Sequence, residues 1–182
     1  MMILSDGEKV LLRPIDKKDL SKTLAWRNDP LIVDKILGYQ FPITEDMEEN
    51  WYQGVGFVEF PTKIIFAIDL KSDNSIVGYT HLSKIDWVSR TCFFGIVIGD
   101  QKSQKKGYGN DVMRVLFRYA FYVLNLRKIC LEVVSHNHEA FIVYKKIGFI
   151  EEGLLRQQVF INNEYHDVYL MGLMKEGFVS SL

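Results

Sequence analysis

The sequence is short of the features that would commit it to a membrane, a metal, a disulfide framework or a nucleic acid. It holds two cysteines in 182 residues, Cys92 and Cys130, each in an apolar run and neither at metal-ligand spacing. They read as buried thiols of a reducing compartment. The four histidines show no metal spacing either, so no metal is expected. No sign of charge dominates: 22 Lys and Arg stand against 23 Asp and Glu, a formal net charge of −1. A near-neutral chain makes no global field for nucleic acid or an anionic bilayer, so neither is expected as a partner. No apolar run approaches membrane-spanning length. The first residues, MMILSD, lack the basic region and long apolar stretch of a secretion signal. A cytoplasmic soluble protein is the expectation. Internal repeats and Pro/Gly/Ser-rich linkers are missing too, which predicts one domain over residues 1–182.

What is present is an ordinary globular composition, 48% apolar and 25% charged. Residues 9–13 read as a short strand. Asp16 can cap a helix running to about Asn28, with Asp19 as a short capping-box partner. That helix stops at Asn28-Asp29-Pro30, because proline disfavours helix in the residue before it. Thr44 can cap a second helix, with Glu45 and Asp46 in its first turn, ending near Gly54 and Gly56. The period then changes. Residues 63–70, 76–85 and 90–99 read as three strands with short connections, an antiparallel meander. Residues 110–124 are helical, with Val112, Val115, Leu116, Tyr119, Ala120 and Val123 on one face and Asp111, Arg114 and Arg118 on the other. A buried strand at 128–134, a helix at about 139–147 closed by Gly148, and a hairpin of strands 150–161 and 165–174 complete the chain. The expected fold class is α/β of the α+β type, built on one mixed sheet.

The junction between the third meander strand and the next helix carries the chemistry. It reads Gln104-Lys105-Lys106-Gly107-Tyr108-Gly109-Asn110. A helix N-terminus presents unpaired N–H groups and partial positive charge, and glycines let a backbone approach an anion closely. Lys102, Lys105 and Lys106 add charge. The physical reading is a diphosphate cradle; the plain alternative is a glycine turn with solvated lysines. A nucleotide P-loop fits poorly, because Gly109 is followed by Asn110 rather than Lys and a hydroxyl residue. A dinucleotide fingerprint fits poorly as well, because this strand ends a meander.

The loop resembles the Gln/Arg-x-x-Gly-x-Gly/Ala signature of the GNAT acyltransferase superfamily. The next elements match in order and spacing: Leu131-Glu132-Val133-Val134-Ser135-His136-Asn137, then Tyr144-Lys145-Lys146-Ile147-Gly148-Phe149. Leu12-Arg13-Pro14, Trp26-Arg27-Asn28-Asp29-Pro30 and Phe41-Pro42-Ile43-Thr44 resemble the branch with ribosomal-protein N-terminal acetyltransferases, spermidine acetyltransferases and some amino-sugar acetyltransferases. The resemblance implies a mostly antiparallel sheet with helices on both faces, and acetyl-CoA as co-substrate. It implies an N-acetyltransferase acting on a primary amine, which is a protein N-terminus, a small amine, a polyamine or an amino sugar. A CoA-binding module without chemistry is the alternative of another class. Relatives are often dimers, and the 150–174 hairpin is a candidate interface for a homodimer.

Residue by residue, the resemblance gives the CoA pyrophosphate to Gln104, Lys105, Lys106, Gly107, Tyr108, Gly109 and Asn110. The pantetheine arm falls to the main chain of Ile96, Val97 and Ile98, which can also be plain core strand. Asn137 is a pantetheine partner or a helix cap. Tyr144 matches the general acid that protonates the departing thiolate; a core tyrosine is the plain alternative. Glu132 is the candidate base for the ammonium acceptor, or a surface strand carboxylate; His81, His136 and His138 are further candidates. Trp26, Phe41, Trp51, Trp87 and Tyr165 are candidate walls of the acceptor site. The acidic run 44–49 can attract a cation such as a polyamine, but the plainer reading, a solvated helix start, is the expectation.

Overall fold

The computed structural model describes residues 3–37, 41–54 and 61–178. Its frame is a seven-stranded sheet in the order β1-β2-β3-β4-β5-β7-β6. The strands are β1 (Val10–Pro14), β2 (Ile64–Leu70), β3 (Ile76–Asp86), β4 (Thr91–Ile98), β5 (Lys128–Val134), β6 (Ile150–Ile161) and β7 (Glu164–Met174). Every neighbouring pair is antiparallel except β4 and β5. The mixed, mostly antiparallel α/β architecture expected from the sequence is what forms.

Among the described residues, five α-helices pack on this sheet: α1 (Leu20–Arg27), α2 (Pro30–Val33), α3 (Glu45–Gln53), α4 (Tyr108–Arg118) and α5 (His138–Ile147). Side chains alternate along a strand, so neighbours in sequence serve opposite faces. In β3, Leu82 faces the main core with α4 and α5, while Tyr79 packs with Ile32 of α2 and with Trp26 and Ile36. The sheet is therefore covered on both faces over its middle. The main core holds an edge-to-face aromatic cluster, with Phe117 of α4 5.0 Å from Phe94 and 5.7 Å from Phe149. Such pairs contribute roughly 0.5–1.5 kcal/mol each beyond the area they bury.

The start of the first helix follows the sequence closely. Asp16 and Asp19 form the capping box, over a single 3-10 turn (Lys17–Asp19) that leads into α1. Asp19 does more than cap. It is buried, and with Asp69 of β2 it grips the guanidinium of Arg13 in β1 at 2.7 Å each. Burial opposes the Asp19 charge, but hydrogen bonds from Arg13 and the Asp16 amide hold its carboxyl below the usual range. The stop before Pro30 is also real, and a short helix the sequence pattern did not predict restarts at once. Asp29 caps α2 and Pro30 occupies its first position, where a missing N–H costs nothing. Thr44 caps α3 by accepting from the Met47 amide, and Gly54 ends it; Gly56 lies outside the described residues.

Three details differ from the sequence reading. The predicted 110–124 helix begins at Tyr108, capped by Gly107, and its last five residues, Tyr119–Val123, form wider π turns. Asp111 is not on a solvent face. Its carboxylate is buried and accepts the backbone N–H groups of Glu8, Lys9 and Val10 at 2.7–3.0 Å, pinning the entry to β1. Helical period placed it outside because the donors lie a hundred residues away. Cys130 is only half-buried, unlike Cys92, whose thiol burial pushes up to about 12. No described helix is long and apolar enough to cross a membrane. The β6–β7 hairpin leaves Ile150, Leu154, Phe160 and Tyr165 exposed.

Candidate active site

Strands β4 and β5 are joined at one end and part at the other. Their parallel pairing covers Thr91, Cys92 and Phe93 against Lys128, Ile129 and Cys130. Beyond that point β3 still pairs with β4 as far as Ile98, and β7 with β5 as far as Val134. Each strand is held by its outer neighbour, so the inner edges separate and leave backbone groups without a strand partner. A cavity of about 670 Å³ opens in the gap. Gly95, Ile96 and Val97 line it from β4; Glu132, Val133 and Val134 line it from β5; Asn137 and Tyr144 close it beside α5. Val97 packs with the α1–α2 side and Ile96 and Ile98 with the main core, so the core role and a free main-chain edge coexist.

The glycine loop is tied to the end of β4. The Gln104 side-chain amide donates to the Ile98 carbonyl at 3.1 Å, and Ser103 donates its hydroxyl to Asp100. Lys105 takes φ 60° and Gly107 takes φ 82°, the left-handed region where glycine is free of strain. This turn aims the N-terminus of α4 out of the loop. Tyr108, Gly109 and Asn110 are thus the first helical turn, whose N–H groups lack intrahelical acceptors. A Cβ on Gly109 would meet no atom within 4 Å, so the helix start faces open space. Lys106 and Lys102 are exposed beside it; Lys105 pairs with Glu139 across solvent at 2.7 Å, a weak contact at that exposure.

Tyr144 stands where α5 meets the gap. Its ring packs edge-on against Phe94 at 6.3 Å and Phe149 at 5.8 Å, and burial pushes its phenol up to about 12. Asn137 caps α5 by accepting from the Ala140 amide, and its side-chain NH₂ donates to the Lys35 carbonyl. The cap reading therefore holds, and Asn137 also lines the cavity. Glu132 faces the cavity from the α1–α3 face of β5, with Lys84 loosely opposite at 3.8 Å. Of the histidines, only His81 reaches the cavity. Burial, and then the charge of Lys63, depress it to about 4, so it is neutral at pH 7. His136 instead binds the Asp34 carbonyl through Nε2 and meets His166 edge-to-face, and His138 is exposed at the start of α5.

The aromatics expected to wall an acceptor site divide. Trp51 lines the cavity. Trp26 packs beneath Gly99, Trp87 donates to the Pro61 carbonyl, and Tyr165 is exposed on the hairpin against Phe160. Phe41 is exposed and is not among the cavity walls. Around Trp51 the structure places residues to which the sequence pattern gave no part in a site. The guanidinium of Arg27 sits 4.9 Å over its ring and pairs with buried Glu48 at 2.6 Å. The ammonium of Lys63 sits 5.6 Å from the same ring. Glu48 belongs to the acidic run read as solvated; it is buried because Thr23 and Arg27 both satisfy it.

The model of the acetyltransferase (GNAT) domain family matches residues 9–150. The chain belongs to the GNAT acetyltransferase family. Spermidine N(1)-acetyltransferase of Escherichia coli strain K12 is 32% identical over 97% of this chain and 92% of its own length. The enzyme of that name from Vibrio cholerae is 32% identical over 60% of this chain and 62% of its own. A crystal structure of spermidine N-acetyltransferase from Vibrio cholerae in complex with CoA and spermine superposes with a TM-score of 0.85 at 27% identity, covering 92% of this chain and 96% of that one. This GNAT protein is an acetyl-CoA-dependent N-acetyltransferase. Its own geometry fits that co-substrate: a glycine-opened helix start faces open space, and a parted strand pair leads from it into a cavity.

Proposed function

We propose that this chain transfers an acetyl group from acetyl-CoA directly to a primary amine, with Tyr144 as the general acid. The observation that carries the reading is Tyr144 at the mouth of the β4–β5 gap, its ring fixed between Phe94 and Phe149. The backbone of Gln104, Lys105, Lys106, Gly107, Tyr108, Gly109 and Asn110 would hold the pyrophosphate. The free edge of Ile96, Val97 and Ile98 would take the pantetheine arm as an added strand, with Asn137 beside it. Acetyl-CoA supplies the acyl group. The amine nitrogen forms the new C–N bond, and the C–S bond breaks.

The chain's own residues handle the protons. A phenol at about 12 stays protonated at working pH, so Tyr144 always has an O–H to offer the sulfur as negative charge develops there. The acceptor arrives as an ammonium, since alkylamines titrate near 10. Glu132 faces the cavity on the acceptor side, and we assign it the removal of that proton, directly or through water. His81, neutral at pH 7 in the same cavity, is the alternative base.

Thiol release from acetyl-CoA is the test, measured with a panel of amino acids, amino sugars, polyamines and peptides. Saturable release with any amine supports transferase chemistry. Tight acetyl-CoA binding with no release from any acceptor favours a CoA-binding module. The names of the relatives put polyamines in the panel; the charge of the cavity bears on how that part will come out.

A further inference from the structure

The two faces of the sheet divide the cavity into a donor side and an acceptor side. The glycine loop and α4 belong to the main-core face, and Tyr144 packs on that face. Glu132, His81 and Trp51 lie toward α1–α3, together with Arg27 and Lys63. The acceptor must therefore meet the thioester from the face that Lys63 occupies. Among the described walls of the cavity, the acids and bases are unequal. Arg27, Lys35, Lys63 and Lys84 stand against a single carboxylate, Glu132. The charge of Arg27 is matched by Glu48, which is buried behind it, and that of Lys84 is loosely matched by Glu132. Lys35 is exposed at the rim.

Lys63 is different. It is half-buried, and among the described residues its ammonium has no carboxylate partner, only the ring of Trp51, which Arg27 also contacts. Desolvation first, and then the nearby Arg27 charge, hold its pKa below the ordinary lysine value. Drawing a cation even partly out of water without a counter-ion is costly, and a ligand can provide one. A polyamine would bring further ammonium groups to this place. An anion would relieve both effects that burden Lys63.

We propose that the acceptor amine carries an anionic group, a carboxylate or a phosphate, and that Lys63 receives it in the cavity beside Trp51. This rests on the acetyl-transfer reading for the position of the amine, but its test does not depend on turnover. Calorimetry on the CoA-loaded protein compares matched probes: phenylalanine against its amide for a carboxylate, and glucosamine 6-phosphate against glucosamine for a phosphate. Spermidine is the cationic control. The expected result is that the charged member of at least one pair binds tighter than its neutral partner by about tenfold or more. That advantage disappears in Lys63→Gln and persists in Lys63→Arg, with CoA affinity unchanged. The pair that responds tells carboxylate from phosphate.

Equal affinity within both pairs, no detectable binding of either charged probe, spermidine binding tighter than both, or an advantage that survives Lys63→Gln would each overturn the proposal. If Lys63→Gln does not fold, the wild-type comparison decides alone. Thiol release run alongside keeps the two readings apart. Preference for anions without acetylation removes the catalytic reading and leaves the site. Acetylation of spermidine without anion preference does the reverse.

Discussion

The proposed donor and acceptor sides of the cavity are built on different principles. The donor side is made by backbone: a left-handed glycine, the open start of a helix, and two strand edges that part. The acceptor side is made by charged side chains from distant segments, with Arg13, Asp19 and Asp69 bracing its frame and Arg27, Glu48 and Lys63 gathered around Trp51. Backbone devices are coded locally, by Gly and by turn residues at fixed offsets. Charge pairs are coded by residues whose partners lie far along the chain. The first kind can serve one unchanging co-substrate, while the second can be rewired residue by residue for a new acceptor.

The largest effect should come from breaking the acceptor-side frame. Arg13 joins β1 to β2 and to the turn that launches α1. Removing it leaves two largely buried carboxylates without their counter-ion. Arg13→Ala should therefore destabilise the fold by about 3–5 kcal/mol, seen as a lowered midpoint in urea unfolding. A loss under 1 kcal/mol would mean that Asp19 and Asp69 are solvated and that the frame is not ionic.

On the donor side the corresponding cut removes one atom. Tyr144→Phe keeps both ring contacts and loses only the hydroxyl. Turnover should fall about a hundredfold, with acetyl-CoA affinity and melting temperature unchanged. The pH profile sharpens the assignment. A phenol at about 12 predicts no alkaline decline from Tyr144 loss until well above pH 10. Full activity in the phenylalanine variant would return Tyr144 to the core.

Gly109→Ala tests whether the donor side works through open space. Nothing in the fold opposes the new methyl group, and alanine is the better helix former. Stability should hold or rise slightly, while acetyl-CoA binding weakens by about tenfold because the methyl stands where the anion approaches. Weakened folding instead would show that the glycine serves the turn and not the ligand.

The same division explains what was legible in the sequence. Apart from α2, which was not predicted, the strands and helical segments fell within a residue or two of their places, because the periods of 2 and 3.6 and the capping residues Asp16, Thr44 and Gly148 are local signals. The places of the glycine loop at the start of α4 and of Tyr144 on α5 followed for the same reason, from a spaced pattern. Asp111, Glu48 and Lys63 were not. Each is a charged residue that local pattern assigns to solvent, and each is buried or half-buried through contacts from other segments. Asp111 accepts from amides at the start of β1, Glu48 of α3 is held from α1, and Lys63 leans on Trp51 of α3. The π turns at Tyr119–Val123 also left no periodic trace, since apolar residues fill that segment in either geometry.

The smallest effect expected is a pH dependence, and it belongs to the acceptor side. His81 is held neutral by burial and by Lys63, with its pKa near 4, below the ordinary 6.5. A depressed pKa means that the unfolded chain takes up the proton first. The stability from neutral His81 is present above pH 6.5 and is lost as pH falls toward 4. Between pH 7 and 5 the loss should be on the order of 1 kcal/mol, after allowing for the solvent that enters the cavity. His81→Asn should flatten this part of the stability curve. Lys63→Gln should flatten it in part, because it removes the second cause of the shift and leaves the first. If the Lys63 variant leaves the acid limb unchanged, the two cations do not share one field, and the charge that separates the acceptor side from the donor side is weaker than their placement around Trp51 implies.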